Sequence, residues 1–125
     1  MNFQIPKFDL NQQNDLMSQI SEQAHRKNNP VIDVYASLRE YAQEFESSLD
    51  DNHEVGARLV SFGSTITFHV RQIGYSQPNI ITFDGVTDDG NRVKLVQHVS
   101  QLSVLFIALP IKIETPKRSI GFISN

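Results

Sequence analysis

Between Val93 and Ile113, polar side chains able to exchange protons or hydrogen bonds interrupt an otherwise apolar stretch. They are Gln97, His98, Ser100 and Gln101. The apolar neighbours predict that the stretch belongs to the core. A polar group buried without a partner costs about 1–3 kcal/mol. These side chains therefore either bond one another and the backbone, or they point toward a ligand.

A hydrolytic centre is the first chemistry to consider for these residues. His98 and Ser100 are close in sequence, but no G-x-S-x-G elbow surrounds the serine. A structural hydrogen-bonded pair is the favoured interpretation. Asp84, Asp88 and Asp89 flank a glycine-bearing turn, which is an ordinary place for aspartate. An enzyme in which Asp84 orients His98 as a general base is kept as an alternative.

Metal and cofactor sites are not indicated by the sequence. The chain has no cysteine, and none of its four histidines, at positions 25, 53, 69 and 98, is paired at the i, i+4 spacing of a helical zinc site. The glycine spacings of a P-loop and of a Rossmann turn are both missing. We therefore expect no metal and no cofactor.

Charge is divided unevenly along the chain. Residues 1–55 carry four Lys/Arg against ten Asp/Glu, a net charge of −6, whereas residues 56–125 carry seven against four, a net charge of +3. This division disfavours duplex nucleic acid as a partner but suits a compact anionic ligand on the second half. The basic residues available for it are Arg58, Arg71, Arg92, Lys94, Lys117 and Arg118.

The spacing of these residues is compatible with phosphate binding. Strand alternation places Arg92 and Lys94 on one face of a predicted strand. Arginine offers paired donors to a phosphate and a planar face to a nucleobase. The alternative is that these side chains are solvated strand ends and that the neighbouring aromatic residues form the core.

The elements that position these residues begin with helices. Residues 1–13 are polar and aperiodic and are expected to form a flexible arm before a single domain of residues 14–125. From Asp15 to Lys27 the sequence predicts a helix capped by Asn14. Its thin apolar stripe consists of Leu16, Met17, Ile20 and Ala24.

A second helix is predicted by stronger signals. Asn29-Pro30 is a cap followed by a proline at the first helical position, and apolar residues recur at helical spacing to about Leu49. The acidic residues of this helix suggest a second alternative function, a protein-interaction module that holds a basic partner. They are Glu40, Glu44 and Glu46.

Strands are predicted from Val55 onward because β-branched and aromatic residues become frequent. The predicted strands are Arg58–Phe62, Thr65–Val70, Asn79–Phe83 and Arg92–Gln97, with a hairpin turn at Asp88–Asn91. Residues 99–109 fit a buried strand and a helix equally well. The predicted fold class is α+β, with two N-terminal helices followed by an antiparallel meander.

The cellular location of the protein is indicated by two kinds of segment that the sequence lacks. No apolar window of about 18 residues free of charge is present, and the N-terminus has no basic region followed by an apolar one. We therefore expect a soluble cytoplasmic protein that does not use a membrane as a partner.

Several motifs occur together and in order. They are His53-Glu54-Val55-Gly56-Ala57-Arg58-Leu59-Val60-Ser61-Phe62-Gly63, Ile73-Gly74-Tyr75, Phe83-Asp84-Gly85, Gln97-His98-Val99-Ser100-Gln101-Leu102-Ser103 and Arg118-Ser119-Ile120-Gly121-Phe122. Through them the chain resembles, over about residues 31–122, a small bacterial and phage family known as a domain of unknown function. That family also resembles the phage anti-Thoeris proteins of the first type.

Those proteins are sponges: they trap a cyclic ADP-ribose isomer made by host TIR enzymes, and some also hold cyclic trinucleotides. The resemblance implies a non-enzymatic α+β protein that assembles into dimers and then a hexamer, with pockets between protomers. It also implies that the protein blocks an antiphage defence in the cytoplasm of the bacterial host.

The resemblance further implies particular binding residues. An aromatic residue on a strand, an asparagine near a hairpin and a C-terminal arginine form the nucleotide pocket of the family. The matching positions in this chain are Phe83, Asn91 and Arg118, with Arg92 and Arg58 in support. Arg26 and Lys27 match a second site, for cyclic oligonucleotides, where several subunits meet.

Overall fold

A computed structural model of the chain describes residues 10–61, 64–112 and 116–124. Two helices come first, α1 (Leu10–Asn28) and α2 (Val31–Ser47). The strands that follow are β1 (His53–Ser61), β2 (Ser64–Ser76), β3 (Ile80–Val86), β4 (Arg92–His98), β5 (Leu105–Pro110) and β6 (Gly121–Ser124). A single 3₁₀ turn, Val99–Gln101, joins β4 to the segment before β5.

One sheet contains all of these strands, and β2 organises it. The order is β4-β3-β2-β1-β5, with antiparallel neighbours throughout. Along one edge of β2, residues 64–69 pair with β1 and residues 72–75 pair in parallel with β6. The long strand β2 therefore holds together the meander and the C-terminal segment.

The core lies between α2 and one face of the sheet. Buried side chains recur along α2 at helical spacing: Val31, Tyr35, Leu38 and Ala42. They pack against a sheet face that includes Ala57, Phe68, Ile73 and Phe83. We call this the helix-covered face, and the other side of the sheet the open face.

The predicted α+β class is confirmed, and most differences from prediction concern element boundaries. Helix α1 begins at Leu10, so residues 10–13 are helical, whereas residues 1–9 of the predicted arm lie outside the described residues. Pro30 precedes α2, and the Asn29 side chain instead donates to the His25 carbonyl at the end of α1. Residues 99–109 form the 3₁₀ turn and then the strand β5.

In the stretch from Val93 to Ile113, the described residues 93–112 do not form a core segment. Strands β4 and β5 are the two ends of the sheet path, and only part of each faces α2. His98, Ser100 and Gln101 are exposed. Gln97 faces inward, and its Oε1 is buried without a hydrogen-bond partner. Most apolar residues of this stretch belong to two strands at the edges of the sheet, and exposed side chains are interspersed with half-buried ones along them.

Helix α1 stands apart from this core. Every side chain from Asn11 to Asn28 is exposed, including the predicted apolar stripe. The His25 and Gln77 side chains, whose nitrogens are 3.4 Å apart, join α1 to the turn after β2. An isolated helix of this length is marginal in water, since most helical stability comes from packing.

Candidate functional site

A β-bulge in β2 determines which side chains reach the open face. Val70 pairs with Gly85 and Gln72 with Asp84, so Arg71 is the extra residue between them. The bulge lets Val70 and Ile73 both point into the core. Arg71 and Gln72 consequently both project from the open face.

Basic side chains from three parts of the chain converge beside this bulge. A cleft of about 620 Å³ is lined by Arg71, Gln72, Asp84, Gly85, Val86, Arg92, Val93, Lys94 and Arg118. The register pairs Asp84 with Lys94 and Val86 with Arg92, which places those four side chains on the open face. Because Arg92 and Lys94 lie on the same face of β4, the strand alternation predicted for them is confirmed.

Positive charge dominates this basic cleft. Four of its side chains are cationic, and Asp84 is the anionic one. Lys94 Nζ lies 3.6 Å from Asp84 Oδ1, and the lysine side chain is largely exposed, so this pair contributes little to stability. The cleft therefore keeps a surplus of hydrogen-bond donors and positive charge for an anion.

The segment before β6 brings Arg118 to the cleft. The Arg118 backbone N–H donates to Glu54 Oε2 at 3.4 Å, and the Ile120 N–H donates to Glu46 Oε2 at 2.9 Å. Lys117 Nζ donates to the Asp50 carbonyl at 2.8 Å. These bonds hold the segment against the ends of α2 and β1.

Asp50 is itself a structured residue of the turn between α2 and β1. Its Oδ1 accepts from the Asn52 N–H at 2.9 Å and lies 2.7 Å from His53 Nδ1. The hydrogen bond with His53, aided by the one from Asn52, lowers the pKa of the Asp50 carboxyl. The carboxylate therefore stabilises the turn to which Lys117 is bound.

A buried polar cluster lies beside the cleft, on the open face of the sheet. Glu54 and His69 are 4% and 5% exposed, and Glu54 Oε1 is 2.6 Å from His69 Nδ1. The same oxygen accepts from the Arg71 guanidinium at 3.1 Å. On the other side of the ring, His69 Nε2 is 2.9 Å from Asp88 Oδ1. Glu54 thus orients Arg71 and, through the backbone of Arg118, a second arginine of the cleft.

Phe83 is not part of this site, which corrects the prediction that its ring stacks on a base. It is 0% exposed, and its register partner Ile73 is also fully buried. The ring lies on the helix-covered face, whereas the adjacent Asp84 points to the open face. Strand alternation separates Phe83 from the cleft by the thickness of the sheet.

The other predicted binding residues are divided between the cleft and other surfaces. Arg92 and Arg118 line the cleft. Asn91 is exposed in the β3–β4 turn, where its backbone bonds to Thr87, but it is not a lining residue.

Arg58 is exposed and donates through Nε to Thr67 Oγ1 at 3.2 Å, outside the cleft lining. Arg26 and Lys27 are exposed at the end of α1.

Arg26 also has a partner within its own helix. Its guanidinium is 2.9 Å from Glu22 Oε1, one turn earlier. An exposed pair at this spacing is worth about 0.3–0.5 kcal/mol, so a ligand can displace it at low cost.

The arrangement proposed for an enzyme is not formed. Asp84 pairs with Lys94, whereas His98 pairs with Ile80, four residues earlier in β3. At about 3.3 Å per residue, the separation is on the order of 13 Å. His98 Nδ1 instead accepts from the Ser100 N–H at 3.1 Å and lies 2.8 Å from Ser100 Oγ. The interpretation of His98 and Ser100 as a structural pair is confirmed.

The acidic face of α2 is smaller than predicted. Glu40 and Glu44 are exposed, but Glu46 faces the body of the protein and accepts from the Ile120 N–H. Beside Glu44, an apolar groove of about 500 Å³ runs between α2 and β5. Its lining includes Leu38, Tyr41, Phe45, Val104 and Phe106. This groove has no cationic lining residue and does not resemble the basic cleft.

Sequence reasoning missed the residues that organise the cleft. Arg71 was one of several basic candidates, whereas Glu54 and His69 were not assigned to a site. The available signal was a charged residue in an otherwise apolar strand pattern: Glu54 immediately precedes Val55, and His69 lies between Phe68 and Val70. Which face each occupies depends on the pairing of β1 with β2, which a single sequence does not provide.

A metal-binding group and a membrane-spanning helix are both missing from the described parts of the chain. There, no grouping of three or more acidic or histidine residues is arranged to hold a metal ion. Neither described helix is long and apolar enough to span a membrane.

Fold and site together define an α+β domain in which a helix covers one sheet face and a basic cleft occupies the other. The chain belongs to the family of unknown function DUF6173, whose model matches residues 26–123. No curated protein and no solved structure matched the chain significantly.

Proposed function

We propose that the protein binds an anionic nucleotide in the basic cleft and sequesters it without breaking a bond. The observation that carries this proposal is the convergence of Arg71, Arg92, Lys94 and Arg118 on one cleft of about 620 Å³. Guanidinium groups bind phosphate oxygens through paired donors. A diphosphate bridging these side chains would meet donors from β2, β4 and the segment before β6.

We propose a cyclic ADP-ribose isomer as the ligand, on the basis of the resemblance of the family to the anti-Thoeris sponges. Its diphosphate suits the four cations, and its adenine can stack on the guanidinium plane of Arg92 or Arg118. The protein would then act in the cytoplasm of a bacterial host, where trapping the signal prevents activation of an antiphage defence. Sequestration follows mass action and requires tight binding; a nanomolar Kd corresponds to about −12 kcal/mol.

We also propose that the protein works as a homo-oligomer. The exposed apolar stripe of α1 supports this, because Leu16, Met17 and Ile20 lack contacts that would shield them from water. Arg26 and Lys27 lie at the end of the same helix. Where several copies bring these residues together, they would form the second site, suited to a cyclic trinucleotide.

Isothermal titration calorimetry and native mass spectrometry with cyclic ADP-ribose isomers test the proposed function. We expect binding to the intact protein and recovery of the unchanged nucleotide after heat denaturation. Recovery of a cleaved product would indicate an enzyme. The absence of binding at about tens of micromolar, a weak affinity for a sponge, would overturn the proposal.

A further inference from the structure

His69 makes contacts that depend on its protonation state. Its Nδ1 is 2.6 Å from Glu54 Oε1 and its Nε2 is 2.9 Å from Asp88 Oδ1. An ionised carboxylate only accepts hydrogen bonds, and a neutral imidazole has only one N–H. Both contacts are hydrogen bonds between His69 and ionised carboxylates only when the ring is an imidazolium.

The surrounding charges indicate which contact is lost when the ring becomes neutral. Glu54 is buried on β1 and is also held by Arg71 of β2 and by the backbone N–H of Arg118. The Asp88 side chain is 77% exposed, so water can replace its bond to His69. Lys112, after β5, donates to the Asp88 backbone carbonyl. Asp88 is therefore the partner that separates.

Movement of Asp88 would be transmitted to the cleft through a rigid turn. Thr87 N–H donates to the Asn91 carbonyl at 2.9 Å, and Gly90 N–H donates to the Thr87 carbonyl at 2.9 Å. The turn spanning residues 87–91 therefore moves as a unit. It connects Val86 to Arg92, and both of these residues line the basic cleft.

We propose that His69 is a positioning residue whose imidazolium clamps the turn of residues 87–91 to the sheet, so that the affinity of the cleft for an anion falls as pH rises. This inference rests on the proposed anion binding by the cleft. Loss of the proton removes a positive charge from beside Arg71 and breaks the side-chain bond between the sheet and the turn that precedes Arg92, whose Asp88 carbonyl is still bonded by Lys112. Both effects weaken the binding of an anion.

Calorimetric titration of the full chain with a cyclic ADP-ribose isomer tests the clamp. Because the probe is a diphosphate diester, it lacks the second phosphate ionisation at about pH 6, and its own charge stays constant over the range tested. We expect binding to be about fivefold or more weaker at about pH 8.5 than at about pH 5.5. His98→Gln should retain this dependence, because His98 bonds to Ser100 instead.

Asp88→Asn is the informative variant. An asparagine can accept from charged His69 through its carbonyl and donate to neutral His69 through its amide, so the turn stays attached in both states. We expect its affinity to vary less with pH than that of the wild type. Asp89→Asn is the matched control: it removes the same charge from an exposed position of the same turn and should retain the wild-type slope.

Nuclear magnetic resonance of the free protein separates failure of the clamp from failure of the proposed function. Loss of the proton from the His69 ring should coincide with lower protection of the Gly90 and Asn91 amides, measured as exchange relative to the base-catalysed intrinsic rate, whether or not a nucleotide binds. If no ligand binds, this result alone supports the clamp. A neutral His69 throughout the range, amide protection in the turn that does not change with pH, or the same binding slope in Asp88→Asn as in the wild type would overturn it.

Discussion

Glu54 and Arg71 form an ion pair of 3.1 Å between β1 and β2, with the carboxylate almost completely buried. Arg71 also lines the basic cleft, so the ion pair orients this arginine before any ligand arrives. A side chain already held in position loses less conformational entropy on binding than a free one. This preorganisation favours tight binding by a small number of cations.

The first prediction concerns the cations of the cleft. Arg118→Gln and Arg92→Gln should each weaken binding of a cyclic ADP-ribose isomer about tenfold to a hundredfold, because hydrogen bonds to charged groups contribute about 1.5–3 kcal/mol. Calorimetry provides the measurement. Arg58→Gln removes an exposed arginine outside the cleft and should change affinity far less. Equal losses in all three variants would indicate a nonspecific charge effect.

The second prediction separates core from binding site at Phe83. Phe83→Ala should lower the free energy of unfolding by about 3–5 kcal/mol, because it leaves a cavity between α2 and the sheet. Chemical denaturation measures this loss. Phe83→Leu should cost less and should retain nucleotide affinity in the folded protein. Loss of affinity in Phe83→Leu without loss of stability would restore the stacking role.

The third prediction concerns Gly85, which lies beneath the ring of Phe68. A Cβ atom at position 85 would lie 2.3 Å from the His69 carbonyl oxygen and 2.4 Å from Phe68 Cδ2. Gly85→Ala should therefore destabilise the protein by about 1–3 kcal/mol through overpacking. At Gly121 the nearest atom is Cγ of the flexible Gln72 side chain, at 3.3 Å. Gly121→Ala should be milder when both are compared by thermal unfolding.

The fourth prediction concerns self-association through α1. Leu16→Glu combined with Ile20→Glu should shift the protein to a smaller mass in analytical ultracentrifugation, because charges on an apolar contact surface oppose burial. Asn14→Glu with Ser18→Glu adds the same charge at the same spacing on the opposite side of the helix. That control should preserve the assembly. A wild type that is monomeric at high concentration would contradict the proposal.

The fifth prediction concerns acid stability. The pKa of Asp50 is lowered in the folded state, so its contribution is present above the ordinary value of 3.8 and is lost as pH falls through the lowered value. Asp50→Asn should reduce the Tm slightly at about pH 7, and the difference from the wild type should narrow below about pH 3.8. Thermal unfolding monitored by circular dichroism measures both values. Asp51→Asn, in the same exposed turn, should show a smaller effect.

Local sequence patterns predicted most of the elements. The helical spacing in α2 and the alternation of Arg92 with Lys94 both rest on neighbours within a few residues, and both are confirmed. Strand β6 was missed because it has only four residues and acquires its pairing from β2, more than forty positions earlier. Its apolar residues, without that partner, predict nothing specific.

The candidate site was harder to predict because it depends on register. Phe83 and Asp84 are adjacent, and only the pairing of β3 with its neighbours determines that the carboxylate, and not the ring, faces the cleft. The bulge at Arg71 shifts the alternation of β2 by one residue, which a strict period of two does not predict. Glu54 and His69 become partners only through the pairing of β1 with β2.

The parallel pairing of β6 with β2 has a consequence for the order of events during synthesis. Arg71, Arg92 and Lys94 leave the ribosome before the segment that carries Arg118 and is anchored by β6. A nascent chain therefore presents three of the four cations of the cleft, and the fourth is added only when this late segment docks beside β2. The proposed nucleotide binding would then begin only after β6 has been made.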